Sequence, residues 1–130
     1  MSNVPASPLA SVPATRDALE RHGLATKKAL GQHFLISDGV VRHICELAEL
    51  NAEDKVLEIG SGIGTLSCAL LQQTGQVCAV ERDTDLLPVL DETCAPGSRN
   101  SRLSIRTHCN YKQMICPFRP ISLLLICPMQ

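Results

Sequence analysis

The sequence predicts an α/β fold built on a doubly wound parallel sheet, of which we expect only the N-terminal part to be present. Three observations carry this prediction: a short apolar run at 56–59, a glycine-rich turn at 60–64 that opens a helix, and a second apolar run at 76–80. A strand, a tight turn, a helix and a second strand form a crossover unit. Such units are almost always right-handed and make their two strands parallel neighbours.

The N-terminal segment is expected to hold little structure before residue 26. Residues 1–15 are rich in Pro, Ser and Ala, which favours a mobile tail. Residues 16–25 can form a short helix, and we include them in this tail, which we place at 1–25. A helix is signalled from residue 37, because Ser37 or Asp38 can cap it and apolar residues recur behind them at helical spacing.

The central segment, which we place between residues 26 and 95, carries the remaining regular elements. A buried strand is predicted at 56–59, a helix from 65 to about 74, and a second strand at 76–80. Gly75 ends the first of these helices, and Asp83 can cap another that includes Leu90.

Composition limits the setting of this fold. The chain has 130 residues, 45% of them hydrophobic, and a net charge of −1, which suits one small domain without an overall attraction to RNA. Basic residues gather only near the start, where a solvated tail is the simpler explanation. We find no secretion signal and no apolar stretch near the roughly 20 residues of a membrane span, so we expect a cytoplasmic protein.

The seven cysteines predict free thiols rather than a disulfide framework or a metal site. They contain no C-x-x-C pair, and four of them stand singly, mostly in apolar periodic segments. These four are Cys45, Cys68, Cys78 and Cys94. We therefore expect no bound metal.

The glycine turn and two carboxylates predict a site for an adenosine cofactor. The segment 56–65 reads V-L-E-I-G-S-G-I-G-T, and its glycines allow a tight turn that a ligand can approach closely. These glycines are Gly60, Gly62 and Gly64. Glu58 lies two residues before the first glycine, and Glu81 ends the next strand, where a carboxylate accepts hydrogen bonds from ribose hydroxyls.

Two cofactors fit this layout, and the spacing favours one of them. A dinucleotide site needs G-x-G-x-x-G, but the third residue after Gly62 is Thr65. The pattern is instead E-x-G-x-G-x-G, which suits S-adenosylmethionine, because that cofactor is a cation without a pyrophosphate. A nicotinamide dinucleotide and a turn without a ligand remain as alternatives.

A second motif, K-K-A-L-G-Q-H-F-L at 27–35, makes the assignment more specific. Together with the glycine turn it resembles the KsgA/RsmA family of small-subunit rRNA adenine dimethyltransferases, whose relatives include the Erm resistance methylases. That family carries K-x-x-G-Q-N-F-L, so His33 stands where the family has Asn; either side chain can donate a hydrogen bond. The resemblance covers about residues 20–94.

The resemblance implies a Rossmann-like, S-adenosylmethionine-dependent methyltransferase fold. It implies dimethylation of adenine N6 in small-subunit rRNA during ribosome biogenesis, by a monomer that needs no membrane. It further implies that Gln32, His33 and Leu35 line the cofactor. Gly60 would lie against the methionine part of the cofactor, and Glu81 would bind its ribose.

The resemblance fails after about residue 95. The family's acidic-Ala motif and its N-L-P-Y motif are both absent, and residues 96–130 show no clear helix or alternating strand, so no catalytic residue is assigned. Read one base earlier, codons for 107–111 can give D-A-L-Q-L, and codons for 121–130 can give D-K-F-V-A-N-L-P-Y-A. We therefore expect a frameshift between about residues 94 and 107 and a non-native tail at 96–130.

The leading functional prediction is thus an rRNA adenine dimethyltransferase whose chain, as given, is truncated and inactive. The alternative from another class is a non-catalytic, cofactor-binding fragment. A nicotinamide-dependent dehydrogenase is disfavoured by Thr65.

Overall fold

A four-stranded parallel sheet in the order β3-β2-β1-β4 organises the fold. The computed structural model describes residues 6–24, 34–94, 102–106 and 123–126. The strands are β1 (Lys55–Ile59), β2 (Gln76–Val80), β3 (Arg102–Arg106) and β4 (Leu123–Ile126). Because all four run in the same direction, their carboxyl ends meet at one edge of the sheet.

The pairing of β1 with β2 confirms the predicted crossover unit. The two strands are parallel, with Val56 opposite Val77 and Ile59 opposite Val80. On its other side β1 pairs with β4, so β1 lies inside the sheet with a neighbour on each side. The turn that follows β1 therefore begins between two neighbouring strands of the sheet.

Four helices accompany the sheet in the described ranges: α1 (Val12–Arg21), α2 (Asp38–Ala48), α3 (Thr65–Gln73) and α4 (Leu87–Cys94). Ser37 caps α2, since its Oγ accepts the Val40 N–H at 3.3 Å, which decides between the two predicted caps. Asp83 caps the short 3-10 turn (Thr84–Leu86) that leads into α4. None of these helices has the length and apolar character needed to cross a bilayer.

The main core lies between the sheet and helices α2, α3 and α4. Alternate strand residues Val56, Val77 and Ala79 face these helices and are completely buried. The helices contribute side chains that are also almost entirely withdrawn from water: Val41, Cys45, Leu66, Ala69, Leu70 and Leu90. Each fully buried large apolar side chain contributes about 1.5–3 kcal/mol, so this face of the sheet is the main source of stability.

The expectation of no regular element after residue 96 is wrong for two segments, because β3 and β4 extend the sheet. In β3 the sequence R-L-S-I-R alternates polar and apolar residues. This alternation directs Leu103 and Ile105 to the same core as Val77 and Ala79, their partners in β2. In β4 a continuous apolar run suits a parallel strand.

The structure also differs from the expected mobile tail over residues 6–24. Leu9 and Leu19 are buried against Ile63 of the glycine turn and against Leu86 and Val89. Arg21 and His22 pair with Glu92 of α4. The few apolar residues of this segment predict its structure only weakly. Burial against residues that are distant in the chain is what orders it.

Candidate functional site

The glycine turn at 60–64 bends sharply at the carboxyl end of β1. All three glycines adopt left-handed backbone conformations, with φ of 80° at Gly60, 60° at Gly62 and 90° at Gly64. Side chains disfavour this region, which explains why glycine occupies each position. The Gly60 N–H donates to the Val80 carbonyl at 2.8 Å, so the turn is fastened to the end of β2.

Glu81 holds the same turn through its side chain. The residue directly follows β2 and is only 1% exposed. One carboxylate oxygen accepts the Gly62 N–H at 2.7 Å, and the other accepts the Asp83 N–H at 2.9 Å. The predicted neighbourhood of Glu81 and the glycine turn is therefore present, and the carboxylate connects the turn to the segment that opens α4.

Glu58 lies within β1 and is likewise 1% exposed. Its carboxylate accepts a hydrogen bond from the hydroxyl of Ser67 in α3. This contact links β1 to the helix that leaves the glycine turn. Glu58 thus connects the strand that precedes the glycine turn to the helix that follows it.

Of the predicted residues in the 27–35 motif, Leu35 alone lies within the described residues; Gln32 and His33 lie outside them. Leu35 is partly buried and packs against the main core. Its neighbour Phe34 carries the contact to the turn: the ring lies 3.6 Å from the place where a Cβ on Gly62 would stand. The two sequence motifs therefore meet at this ring.

Sequence reasoning missed Phe34 as a site residue, although a signal existed. The chain has only 2% aromatic residues, and this one stands inside the more specific of the two motifs. A side chain at position 62 would contact this ring rather than open space.

The end of α4 supports the turn from behind, which the sequence also did not predict. The Thr93 hydroxyl donates to the Ile63 carbonyl at 2.6 Å. A Cβ on Gly64 would lie 2.8 Å from Cys94 Sγ and 2.9 Å from Thr93 Oγ1. Gly64 is therefore required by packing as well as by its backbone conformation.

Comparison with known proteins gives a family match. A sequence model described as ribosomal RNA adenine dimethylase matches residues 23–112. The ribosomal RNA small subunit methyltransferase A of Bacillus mycoides is 46% identical over 84 residues, which are 65% of this chain and 29% of that protein. The protein of the same name from Bacillus cereus is 46% identical over 82 residues, 63% of this chain and 28% of its own length.

Two solved structures share both the fold and a measurable sequence identity. A dimethyladenosine transferase from Plasmodium falciparum is 30% identical with a TM-score of 0.51, covering 56% of this chain and 27% of that one. The 23S rRNA methyltransferase ErmE is 31% identical with the same TM-score of 0.51, covering 58% and 30%. The chain spans less than a third of the length of these relatives.

Proposed function

The chain belongs to the ribosomal RNA adenine dimethylase family, and from this premise we propose that it carries the S-adenosylmethionine-binding end of an rRNA adenine N6-dimethyltransferase. The observation that supports this best is the buried Glu81 carboxylate bound to the backbone of the glycine turn. It brings an acceptor for ribose hydroxyls against a backbone stretch that lacks side chains at alternate positions.

The residues present fit such a cofactor. A carboxylate has about four acceptor positions, and the Gly62 and Asp83 N–H groups use two of those of Glu81, so capacity remains for two ribose hydroxyls. We propose that Gly60 lies against the methionine part and that Gln32, His33 and Leu35 line the site. Gly62, Gly64 and Glu58 complete the cofactor-binding set, the last by holding α3 against β1. When bound, S-adenosylmethionine supplies an electrophilic methyl group on a sulfonium.

A nicotinamide dinucleotide is the competing ligand for a glycine turn of this kind. Thr65 occupies the place where a dinucleotide site needs its third glycine, and it is 3% exposed at the start of α3. A glycine at this position allows the helix to pack closely against the strand, whereas the side chain of Thr65 occupies that space. We therefore propose S-adenosylmethionine and no dinucleotide.

Calorimetric titration of the 130-residue chain tests the cofactor assignment. We expect heat of binding with S-adenosylmethionine and S-adenosylhomocysteine and none with NAD. Glu81→Ala should weaken binding of the first two by about 1.5–3 kcal/mol, the scale of hydrogen bonds to a charged group. This is roughly a tenfold to hundredfold loss of affinity.

Glu46→Ala is the matched control, because it removes a carboxylate of the same length from the exposed surface of α2. It should leave affinity unchanged. Urea unfolding of each variant separates lost binding from lost folding, since Glu81→Ala also leaves two N–H groups without acceptors. Equal affinities of the two variants, both folded, would refute the role of Glu81, and binding of NAD would refute the cofactor.

The substrate side of the proposal rests on the reading frame. In the restored frame, D-A begins at position 107, directly after β3 ends at Arg106, and the Asn of N-L-P-Y falls at position 126, the last residue of β4. The register pairs position 126 with Ile59, next to Gly60. Both restored motifs thus follow strands at the edge of the sheet that carries the glycine turn, which supports a frameshift.

The restored motifs would supply what the given chain lacks. An Asn side chain and a Pro carbonyl that accept hydrogen bonds from the target amine, with a Tyr that stacks on the flipped adenine, would position the amine for methyl transfer. We therefore propose that the given chain is inactive on rRNA and behaves as a cofactor-binding fragment. We also propose that the whole enzyme acts as a cytoplasmic monomer on the assembling small subunit.

A further inference from the structure

Two cysteine thiols meet behind the glycine turn. Cys68 lies in the first turn of α3, and Cys94 is the last residue of α4. Their sulfur atoms are 3.6 Å apart, and both residues are free thiols. This pair joins two elements that are separated by 26 residues in the chain and that both border the turn.

The surroundings of the pair differ from those of the other described cysteines. Cys45 and Cys78 are 0% and 1% exposed. Cys68 is partly exposed and Cys94 is 6% exposed, so solvent reaches the pair at Cys68. Closing the gap from 3.6 Å to a disulfide length of about 2.05 Å requires only a small shift of the side chains.

The hydrogen bond between the two thiols makes them unequal. The contact with the sulfur of Cys94 raises the pKa of Cys68, and burial adds to the rise. The same contact lowers the pKa of Cys94. A thiolate is the reactive form of cysteine, so the lowered pKa favours Cys94 as the attacking sulfur of the pair.

We propose that Cys68 and Cys94 form an oxidation site at which peroxides produce an intramolecular disulfide. The Cys94 thiolate attacks one oxygen of hydrogen peroxide, the O–O bond breaks, and the departing hydroxide takes up a proton to leave as water. Cys68 then attacks the sulfenic sulfur, the S–O bond breaks, and a second water carries away the remaining proton. Two thiols lose two electrons, and one peroxide is reduced to two waters.

The disulfide would act on the glycine turn through contacts that already exist. The Cys68 N–H donates to the Gly64 carbonyl at 2.9 Å. The Cys94 sulfur lies where a side chain on Gly64 would stand. Oxidation therefore fixes the exit of the turn against the end of α4, and it does so whether or not the proposed cofactor binds.

Non-reducing peptide mapping of the 130-residue chain after treatment with hydrogen peroxide tests the proposal. Trypsin is expected to release peptides 56–82 and 83–99, and the second contains Cys94 as its sole cysteine. We expect these two peptides to be joined in the oxidised chain. Because 56–82 holds both Cys68 and Cys78, the mapping is repeated on Cys78→Ala, which should keep the link, and on Cys68→Ala, which should lose it.

Alkylation of the unsubstituted chain supplies a measurement that needs no variant. When the chain is treated briefly with peroxide and then alkylated after unfolding, Cys68 and Cys94 should be protected together and to the same extent, whereas Cys45 and Cys78 should be alkylated. A link that survives Cys68→Ala, a link to another cysteine in place of this one, or unchanged alkylation of Cys68 and Cys94 would overturn the proposal. None of these readouts depends on cofactor binding, so the proposed function stands or falls separately.

Discussion

At the scale of single residues, Glu81 combines observed contacts within the protein with a proposed contact to a ligand. Its two oxygens accept N–H groups from Gly62 and Asp83, which lie on opposite sides of it in the chain. A residue fixed at both oxygens loses little further side-chain entropy when a ribose arrives. The turn is thus prepared for its ligand by the residue that we propose to bind it.

Gly64 offers the sharpest prediction at this scale. Its φ of 90° and three contacts shorter than 3.0 Å at the Cβ position mean that Gly64→Ala suffers both strain and crowding. We expect a loss of about 2–5 kcal/mol in the free energy of unfolding, from about 1–2 for the left-handed backbone and about 1–3 for overpacking. Urea denaturation measures it.

The control for this change is Gly23→Ala. Gly23 also has a positive φ, of 69°, but nothing lies within 4 Å of its Cβ position. This variant should lose only the backbone part, about 1–2 kcal/mol. Equal losses in the two variants would show that the packing of Gly64 against α4 contributes nothing.

At the scale of elements, α1 is a support for the glycine turn. Its inner face places Ala18 and Leu19 in one cluster with Ile63, the residue between the second and third glycines. The Glu92 carboxylate of α4 pairs with Arg21 and His22 at the end of α1. These ion pairs are partly exposed and contribute little, so the apolar contacts hold the helix.

Leu19→Ala should therefore destabilise the chain by about 2–4 kcal/mol, since Leu19 is 2% exposed and its removal leaves a cavity beside Ile63. Val12→Ala on the same helix is the comparison, because Val12 is 48% exposed and should cost less than about 0.5 kcal/mol. Thermal unfolding of both variants measures the difference. If Leu19→Ala is as stable as Val12→Ala, α1 does not pack as described.

Helix α2 gives a prediction about alkaline pH. Burial, followed by the nearby charge of Glu58, raises the pKa of Cys45 from 9.0 to about 11. Because the folded pKa lies above the unfolded value, the contribution to stability is complete below pH 9.0 and is lost as pH rises toward about 11. The free energy of unfolding should fall over this range, and it should fall less in Cys45→Ala. Parallel pH profiles of the two proteins would contradict the prediction.

At the scale of the whole molecule, the proposed site residues lie at the carboxyl edge of the sheet. The glycine turn follows β1, Glu81 follows β2, and the restored motifs fall at the ends of β3 and β4. The residues that follow neighbouring parallel strands lie close together at the carboxyl edge of the sheet. One edge therefore carries both the proposed cofactor side and the proposed substrate side.

We expect the 130-residue chain to transfer no methyl groups from labelled S-adenosylmethionine to undermethylated small ribosomal subunits. The same gene with its frame and downstream coding sequence restored should transfer them, because the amine-positioning side chains return at the end of β4. Incorporation of label by the unrestored chain would disprove the frameshift argument. Equal inactivity of the restored protein, if folded and able to bind the cofactor, would disprove the proposed reaction.

The sequence by itself determined the local features of this protein. A cap for α2 at Ser37 or Asp38, a cap at Asp83 and the tight glycine turn follow from short-range patterns, and the parallel pairing of β1 with β2 follows from the strand–helix–strand order. The resemblance over about residues 20–94 rests on two contiguous motifs and led to the family. The caps and the turn depend on residues a few positions apart, whose conformations are limited by backbone sterics and hydrogen bonding.

Only the tertiary structure decided which distant segments meet. It brought Phe34 to Gly62, Thr93 to Ile63 and Cys68 to Cys94. It also added β3 and β4 to the sheet and buried Leu19, where the sequence predicted irregular chain and a mobile tail. Short segments carry weak signals, and the free energy that orders them comes from apolar surface buried against residues far away in the chain, which no local pattern contains.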